Sequence, residues 1–230
     1  VGDWMNPMTF AYQNGAFTQI KTGLDNYQGF WGRIEAVDID NDKDLDLVLG
    51  NIGDNFMLRA SENSPIKIWI SDFDNNGLTD KILTKTVEDE DSPVLLKREM
   101  MEQFPILKKE SLKHSAYATK RLKDLFASDV LSKATVKQVN YMHSAVAIND
   151  GKGNFSLSTL PVEAQISCIN ATYCVDINND GLKDILLGGN NYNFIPQFSR
   201  LDAFKGKILI NKGKGVFAAI SDHLSGFTPQ

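Results

Sequence analysis

Cysteine is scarce in this sequence, which holds only Cys168 and Cys174 among its 230 residues. Two cysteines are too few for the disulfide framework of a small secreted domain. On one extended strand they would lie about 20 Å apart, too far to bridge, whereas a turn at Asn170-Ala171 would bring them together. Cysteine usage therefore leaves both the disulfide state and the compartment open.

Long apolar runs and a strong charge of either sign are also missing. No stretch approaches the roughly 18 apolar residues of a membrane-spanning helix, so we expect a chain that is not transmembrane. The formal net charge of −5 argues against nucleic acid as the main partner. The first residues lack the basic and apolar regions of a signal peptide, and the chain does not begin with Met. We therefore expect a processed chain or a piece of a longer one.

The signatures of common catalytic sites are absent as well. The three histidines are scattered, and none has the spacing of a metal ligand pair. Neither a Gly-x-Ser-x-Gly elbow nor a phosphate-binding Gly-Lys-Ser/Thr loop occurs. A carbohydrate-active enzyme, a lyase or hydrolase, remains the alternative function, with exposed aromatics as a sugar platform. The aromatics considered for that platform, or else for core packing, are Trp4, Trp31, Tyr192 and Phe194; Trp69, inside an apolar run, is expected in the core.

A glycine-containing turn recurs along the chain. The segments 149–155 and 211–217 both follow an apolar run and have the pattern Asn-x-Gly-Lys-Gly-x-Phe, and a weaker copy spans 12–17. Glycines between strand-forming residues are typical of tight β-hairpins. Each copy therefore predicts a hairpin.

Three acidic loops are in phase with these hairpins. The interval from Phe17 to Asp38 is identical to the interval from Phe155 to Asp176. The interval from Asp176 to Phe217, the Phe of the next hairpin, is the other part of the period. The two intervals together make one full unit. A fixed period of this kind indicates a repeat architecture.

The period is broken around the second loop. Asp38 and Asp72 are much closer together than one full unit, which predicts a shortened unit that has lost its hairpin. The stretch from Asp72 to Phe155 is about twice as long as the stretch from Asp176 to Phe217, and the excess predicts a helical insertion at 92–134. Ser92-Pro93 has the pattern of an N-cap and first helical turn, followed by helix formers as far as Phe104. A second helix is predicted over 115–126.

The insertion is also the basic part of the chain. Eight Lys or Arg residues against three Glu fall between Lys97 and Lys123. Such a run is typical of a solvated helical face, and the alternative is a docking surface for an acidic partner.

The acidic loops have the residue types that calcium requires. The first loop (38–46), second loop (72–80) and third loop (176–184) carry oxygen-bearing side chains at positions one, three, five and nine. Calcium takes six to eight oxygen ligands, and position seven would add a backbone carbonyl. The candidate ligands are Asp38, Asp40, Asp42, Asp44 and Asp46; Asp72, Asp74, Asn76, Leu78 and Asp80; and Asp176, Asn178, Asp180, Leu182 and Asp184.

Position six separates the first loop from the others. Gly77 and Gly181 permit a sharp turn there, whereas Lys43 must adopt a left-handed conformation or distort the loop. Carboxylates gathered this closely repel one another unless a cation neutralises them, which is the main argument for a metal. The alternative is a set of solvated acidic turns without an ion.

The EF-hand does not fit these loops. Its twelfth position requires a bidentate Glu, and here that position holds Leu49, Leu83 and Leu187. Apolar strand-like runs, rather than long amphipathic helices, follow each loop. EF-hand signalling is therefore excluded.

The pattern of short strand, Asp-x-Asp/Asn-x-Asp/Asn-Gly-x-x-Asp and apolar strand resembles the FG-GAP/VCBS repeats. These repeats form the blades of the integrin α-chain β-propeller and of many bacterial surface proteins. The Gly-Lys-Gly-Asn-Phe hairpin ending at Phe155 is also typical of such blades. The resemblance covers most of the chain except the helical insertion, and Lys43 departs from it.

The resemblance implies an all-β fold of about three four-stranded propeller blades, one shortened, in a single region over 1–230. It also implies up to three structural Ca²⁺ ions and a secreted, periplasmic or cell-surface location. Three blades fall below the usual minimum of four. We therefore expect missing chain segments or another subunit to complete a propeller. The leading function is a non-catalytic module that binds a protein or glycan.

Overall fold

The computed structural model describes residues 1–110 and 113–227. Within these residues the chain is mostly β, with five small antiparallel sheets and four short α-helices. Residues 111, 112 and 228–230, which fall inside the predicted insertion and the predicted 1–230 region, lie outside the described residues. No described helix has the length and apolar character needed to cross a membrane.

The strands are short and are separated by turns rich in Gly, Asn and Asp. They are β1 (Asp3–Met5), β2 (Thr9–Gln13), β3 (Ala16–Ile20), β4 (Gly29–Phe30), β5 (Arg33–Val37), β6 (Asp46–Gly50), β7 (Ile66–Ser71), β8 (Asp80–Val87), β9 (Glu90–Pro93), β10 (Thr135–Val139), β11 (Ala145–Asn149), β12 (Phe155–Thr159), β13 (Ala171–Val175), β14 (Asp184–Gly188), β15 (Lys207–Asn211) and β16 (Phe217–Ala219).

The α-helices are α1 (Lys97–Gln103), α2 (His114–Ala118), α3 (Ser128–Leu131) and α4 (Asp222–Ser225). Four 3₁₀ helices accompany them, at Pro105–Glu110, Leu122–Asp124, Val162–Ala164 and Pro196–Phe198.

The chain divides into two compact units, and the second is nested within the first. Unit 1 comprises residues 1–57 and 141–230, and unit 2 comprises residues 58–140. Unit 1 contains two four-stranded sheets, ordered β5-β6-β11-β12 and β13-β14-β15-β16, and the two-stranded pairs β1-β4 and β2-β3. Unit 2 contains one four-stranded sheet, ordered β10-β7-β8-β9.

The inner strands of unit 1 are buried on both faces. In β6 the side chains of Val48 and Leu49 point to opposite faces and are both fully buried. Val48 belongs to a core cluster with Ile185 and Leu209, whereas Leu49 belongs to a second cluster with Trp31. Burial on both faces explains why these strands are continuous apolar runs rather than alternating ones.

Two glycines of unit 1 allow close approach between segments. A Cβ atom at Gly189 would lie 1.7 Å from the Cys168 carbonyl oxygen, and one at Gly50 would lie 2.4 Å from the Ile169 carbonyl oxygen. No other residue fits either position without moving the backbone.

The predicted shortened unit is wrong. The hairpin β11-β12 is not lost, because β11 pairs with β6 through Ala145↔Leu49, Val146↔Val48 and Ala147↔Leu47. The whole of unit 2, with its own acidic loop, enters the chain between these two neighbouring strands. The loops over 38–46 and 72–80 therefore belong to different sheets, and each of the three loops lies in a four-stranded sheet.

The predicted start of the first helix is also wrong. Ser92 and Pro93 lie in β9, where they pair with Lys85 and Thr84 of β8. The helix begins at Lys97, and the Glu99 carboxylate accepts a hydrogen bond from the Leu96 backbone N–H at 3.0 Å. Strand pairing thus outweighs the N-cap pattern. The helix ends at Gln103, close to the expected stop before Pro105.

The second predicted helix, over 115–126, is broken into two pieces. Helix α2 ends at Ala118, and a 3₁₀ turn begins at Leu122, with the Asp124 carboxylate accepting the Arg121 N–H at 2.8 Å. The expected apolar residues Leu122, Leu125 and Phe126 are buried, but Ala118 is exposed. Together with Tyr117, the three buried residues pack in a core cluster that also contains Phe73, Ile82, Met100 and Phe104.

Candidate metal-binding loops

Each acidic loop joins two strands that pair directly. The Asp at position nine is the first residue of the second strand in all three loops, and it pairs with the last residue of the preceding strand. These pairs are Val37↔Asp46, Ser71↔Asp80 and Val175↔Asp184. The sequence repeat therefore corresponds to a repeated position in the sheets.

The carboxylate at position one holds the turn of each loop. One of its oxygens accepts a hydrogen bond from the backbone N–H of position six, at 3.1, 2.8 and 2.9 Å in chain order. The donor and acceptor pairs are Lys43 to Asp38, Gly77 to Asp72 and Gly181 to Asp176. The side chain at position five likewise accepts the N–H of position seven in every loop, at 2.8–3.0 Å.

Positions four and six have left-handed backbone conformations in all three loops. At position six φ is +79° for Lys43, +85° for Gly77 and +89° for Gly181. The first of the two alternatives for Lys43 is therefore confirmed, since this lysine adopts the strained conformation. Position four is an asparagine each time, the residue that best tolerates this region after glycine.

The carboxylate at position nine closes each loop from the other end. It accepts the N–H of position two at 2.8 Å in the first loop, 3.3 Å in the second and 2.9 Å in the third. In unit 1 the second oxygen also accepts an N–H from the third strand of the sheet. Asn149 donates to Asp46 at 2.8 Å, and Asn211 donates to Asp184 at 2.9 Å. Asp46 and Asp184 are fully buried.

Carboxylate oxygens converge in the first and second loops. One oxygen from each member of a triad lies within 4.8 Å of the other two, which is compatible with oxygens bound 2.3–2.6 Å from a common ion. One triad is Asp38, Asp40 and Asp42, and the other is Asp72, Asp74 and Asp80. The structure therefore brings together three predicted ligands in each of these loops.

Several carboxylate oxygens of these triad residues are buried without a hydrogen-bond partner. They include one carboxylate oxygen each of Asp38 and Asp40 in the first loop and of Asp74 in the second. A buried, charged acceptor without a donor is costly, and a cation supplies the missing partner. The donor sets of the first two loops therefore fit a hard cation such as Ca²⁺.

The electrostatics of the first loop also favour the binding of a cation. Burial raises the pKa of Asp40 above its usual value, and the neighbouring charges of Asp42 and Asp46 raise it further. The pKa of Asp44 is also raised, first by burial and then by Asp42 and Asp46. The loop thus holds more negative charge than it neutralises by itself.

The third loop is arranged differently. The Asn178 amide nitrogen donates to one carboxylate oxygen of Asp180 at 2.8 Å. The Leu182 backbone N–H and this amide lower the pKa of Asp180. Two of the predicted ligands are therefore bonded to each other.

Two asparagines outside the predicted ligand set connect the first and third loops. Asn41 donates its side-chain N–H to the Gly181 carbonyl at 3.0 Å. Asn211 donates to the carbonyls of Ile39 and Lys183 at 2.9 and 3.0 Å. In the sequence, the pattern that indicates these two residues is an asparagine at position four of every loop and at the start of both Gly-x-Gly hairpins. The carbonyl ligands expected from Asp44, Leu78 and Leu182 stay predictions.

Three of the four aromatic residues considered for a sugar platform pack against other rings. Trp31 is 2% exposed and stacks on Tyr141 with ring centroids 5.8 Å apart. Trp4 contacts Phe30 at 5.0 Å, Phe194 contacts Phe56 at 5.0 Å, and Tyr192 is exposed. The half-buried Trp69 packs against the core of unit 2, and its indole N–H donates to Thr84 at 3.2 Å.

Both cysteines are free thiols in the structure, so Cys168 and Cys174 do not form the disulfide that a turn at Asn170-Ala171 would allow.

Comparison with known proteins finds no matching family model, curated protein or solved structure.

Proposed function

We propose that the chain is a non-catalytic module whose Asp-rich loops bind Ca²⁺ as a structural ion, and which binds a protein or glycan outside the cytoplasm. The observation that carries the calcium proposal is the set of buried, unpartnered oxygens of Asp38, Asp40 and Asp74 in convergent triads. The same hydrogen bonds close all three loops, which supports one shared role.

In this proposal each four-stranded sheet is a blade of an FG-GAP/VCBS-type β-propeller. It is supported by two observations: the chain is mostly β, and each loop joins neighbouring strands of a four-stranded sheet. Calcium in the first two loops would neutralise the Asp triads and hold the ends of paired strands together. Asp46 would link the first loop to a third strand through the Asn149 N–H.

Calcium binding by the folded state predicts a rise in the melting temperature. An ion that binds only the native state stabilises it by about 2.7 kcal/mol at one hundred times its Kd. The melting temperature should therefore be higher in millimolar CaCl₂ than in EDTA, as followed by circular dichroism. An unchanged melting temperature in the two solutions would contradict a structural role.

Two variants assign the effect to the loops. Asp40→Ala and Asp74→Ala should each reduce the calcium-dependent rise, because each removes a converging carboxylate from a different triad. Asp202→Ala is the control, since Asp202 is exposed and lies outside the loops. Isothermal titration with CaCl₂ should show that each loop variant loses a binding event.

The ligand of the module is tested separately. A glycan array probed with and without calcium should reveal calcium-dependent binding if the partner is a sugar. Absence of sugar binding would favour a protein partner. Cleavage of a bound glycan would overturn the non-catalytic proposal in favour of the enzyme alternative.

A further inference from the structure

The hairpin β2-β3 is the most exposed apolar element among the described residues of unit 1. Phe10 is 51% exposed, Tyr12 is 66% exposed and Phe17 is 74% exposed. The Tyr12 and Phe17 rings contact each other with centroids 5.1 Å apart, and the hairpin forms a sheet of only two strands. Aromatic side chains this exposed on one element indicate an interaction surface.

The repeat identifies which part of a sheet this hairpin represents. Phe17 precedes an acidic loop by the same interval as Phe155. Phe155 and its counterpart Phe217 begin the fourth strand of the two complete sheets of unit 1. In register, Tyr12 pairs with Phe17 as Asn149 pairs with Phe155. Strands β2 and β3 therefore correspond to the third and fourth strands of a sheet whose first two strands are not paired to it.

The open edge of β2 presents specific backbone groups. The two-residue turn at Asn14-Gly15, with φ of +51° and +83°, makes Gln13 and Ala16 a hydrogen-bonded pair. The alternation of an antiparallel ladder then directs the N–H and C=O groups of Tyr12 and Phe10 away from β3. These groups form the edge that an added strand would bond.

The complete sheets show what such an edge receives. There the third strand pairs with the strand that follows an acidic loop, as β11 does with β6 and β15 with β14. The residue equivalent to Tyr12 also donates its N–H to the position-nine Asp of that loop, at 2.8 and 2.9 Å. Phe10 takes the place of Ala147, which lies opposite Leu47.

We propose that the open edge of β2 binds a strand–acidic loop–strand segment with the pattern of residues 33–50, and that the Tyr12 N–H bonds the last Asp of that loop. The residue of the added strand that lies opposite Phe10 would be apolar, as Leu47 is opposite Ala147. The proposal rests on strand register and not on calcium, so it stands or falls separately from the calcium proposal.

The test uses the 230-residue chain and a synthetic peptide of residues 33–50, with amide hydrogen exchange as the readout. At millimolar peptide, the amides of Phe10 and Tyr12 should exchange about tenfold more slowly. A peptide with Leu47→Pro is the matched control, because Leu47 lies opposite the place of Phe10 and proline there removes the ladder donor that faces the open edge. Protection by both peptides alike would overturn the proposal.

A variant of the protein tests the register. Tyr12→Pro removes the N–H at the open edge but no hydrogen bond between β2 and β3, so the hairpin should persist and peptide protection at Phe10 should be lost. Ala11→Pro removes a bond within the hairpin and should unfold it. Undiminished protection at Phe10 in Tyr12→Pro would overturn the assignment.

A fusion keeps the test decisive if the free peptide binds too weakly. Joining residues 33–50 to the N-terminus through a flexible Gly/Ser linker raises its effective concentration to the millimolar range. Unprotected Phe10 and Tyr12 amides in this fusion would overturn the proposal. A free chain that sediments as a dimer with these amides already protected would also overturn the proposal. In that case the edge would pair with a second copy of the chain.

Discussion

At the scale of single residues, Asp46 and Asp184 act as structural acceptors whether or not an ion is bound. Each is fully buried and accepts two backbone N–H groups, one from its own loop and one from the third strand of its sheet. A carboxylate is suited to this position because both of its oxygens accept hydrogen bonds.

Asp46→Asn should therefore lower the free energy of unfolding by about 2 kcal/mol, because one backbone N–H would face the amide nitrogen instead of an oxygen. Urea unfolding in EDTA isolates this effect from calcium. Asp202→Asn, at an exposed position, is the control and should change stability by less than about 0.5 kcal/mol. Equal stability of the two variants would show that the hydrogen bonds of Asp46 contribute little.

The thiols give a second prediction at this scale. Burial raises the pKa of Cys168, and burial followed by the nearby Glu35 charge raises the pKa of Cys174 to about 12. Because the thiolate is the reactive form, neither cysteine should react readily with Ellman's reagent in the native protein at pH 8. Both should react in 6 M guanidinium chloride. Rapid native labelling would show that one of these sites opens easily.

At the scale of elements, the first loop carries backbone strain that the other two avoid. Lys43 has φ of +79°, where a side chain other than that of glycine costs about 1 kcal/mol. The equivalent positions hold Gly77 and Gly181, and a Cβ atom at either would meet no other atom within 4 Å. Strain is therefore the only local difference expected from a substitution at these glycines.

Lys43→Gly should raise the free energy of unfolding by up to about 1 kcal/mol, and Gly77→Ala should lower it by a similar amount. Both variants are measured by urea unfolding in EDTA, so that ion binding does not contribute. Opposite signs are expected because the first change removes the strain and the second introduces it. A stabilising effect of Gly77→Ala would contradict this account of position six.

The elements also show where sequence patterns were sufficient. The hairpins at Phe155, Phe217 and Phe17 were predicted because a turn requires particular residues within a few positions. The first helix was predicted to begin too early, because Ser92 and Pro93 have an N-cap pattern but pair with β8 instead. The second helix was predicted as continuous because its buried residues, Leu122 and Phe126, have helical spacing across a break.

At the scale of the whole molecule, unit 2 interrupts a sheet of unit 1. The strands on either side, β6 and β11, pair with each other, and the Gly53 N–H donates to the Met142 carbonyl at 2.8 Å near the two connections. The two chain ends that residues 58–140 connect are therefore held close together by contacts within unit 1.

Replacing residues 58–140 by a short Gly/Ser linker should leave unit 1 folded, with a cooperative unfolding transition and the β-sheet circular dichroism signal. Removing only 92–134 should unfold unit 2, because Met100, Phe104 and Phe126 pack directly with Phe73 and Ile82 of its sheet and loop. Loss of cooperative unfolding in the first deletion would show that unit 1 depends on unit 2.

The sequence by itself determined the three acidic loops, their candidate ligands and the hairpins. The reason is that left-handed turns, capping carboxylates and their N–H donors lie close together along the chain within each loop. Only the tertiary structure decided that β11 pairs with β6 across unit 2, and that Asp46 accepts the N–H of Asn149. Pairing across long separations is selected by burial on both faces of a sheet, which no local pattern records.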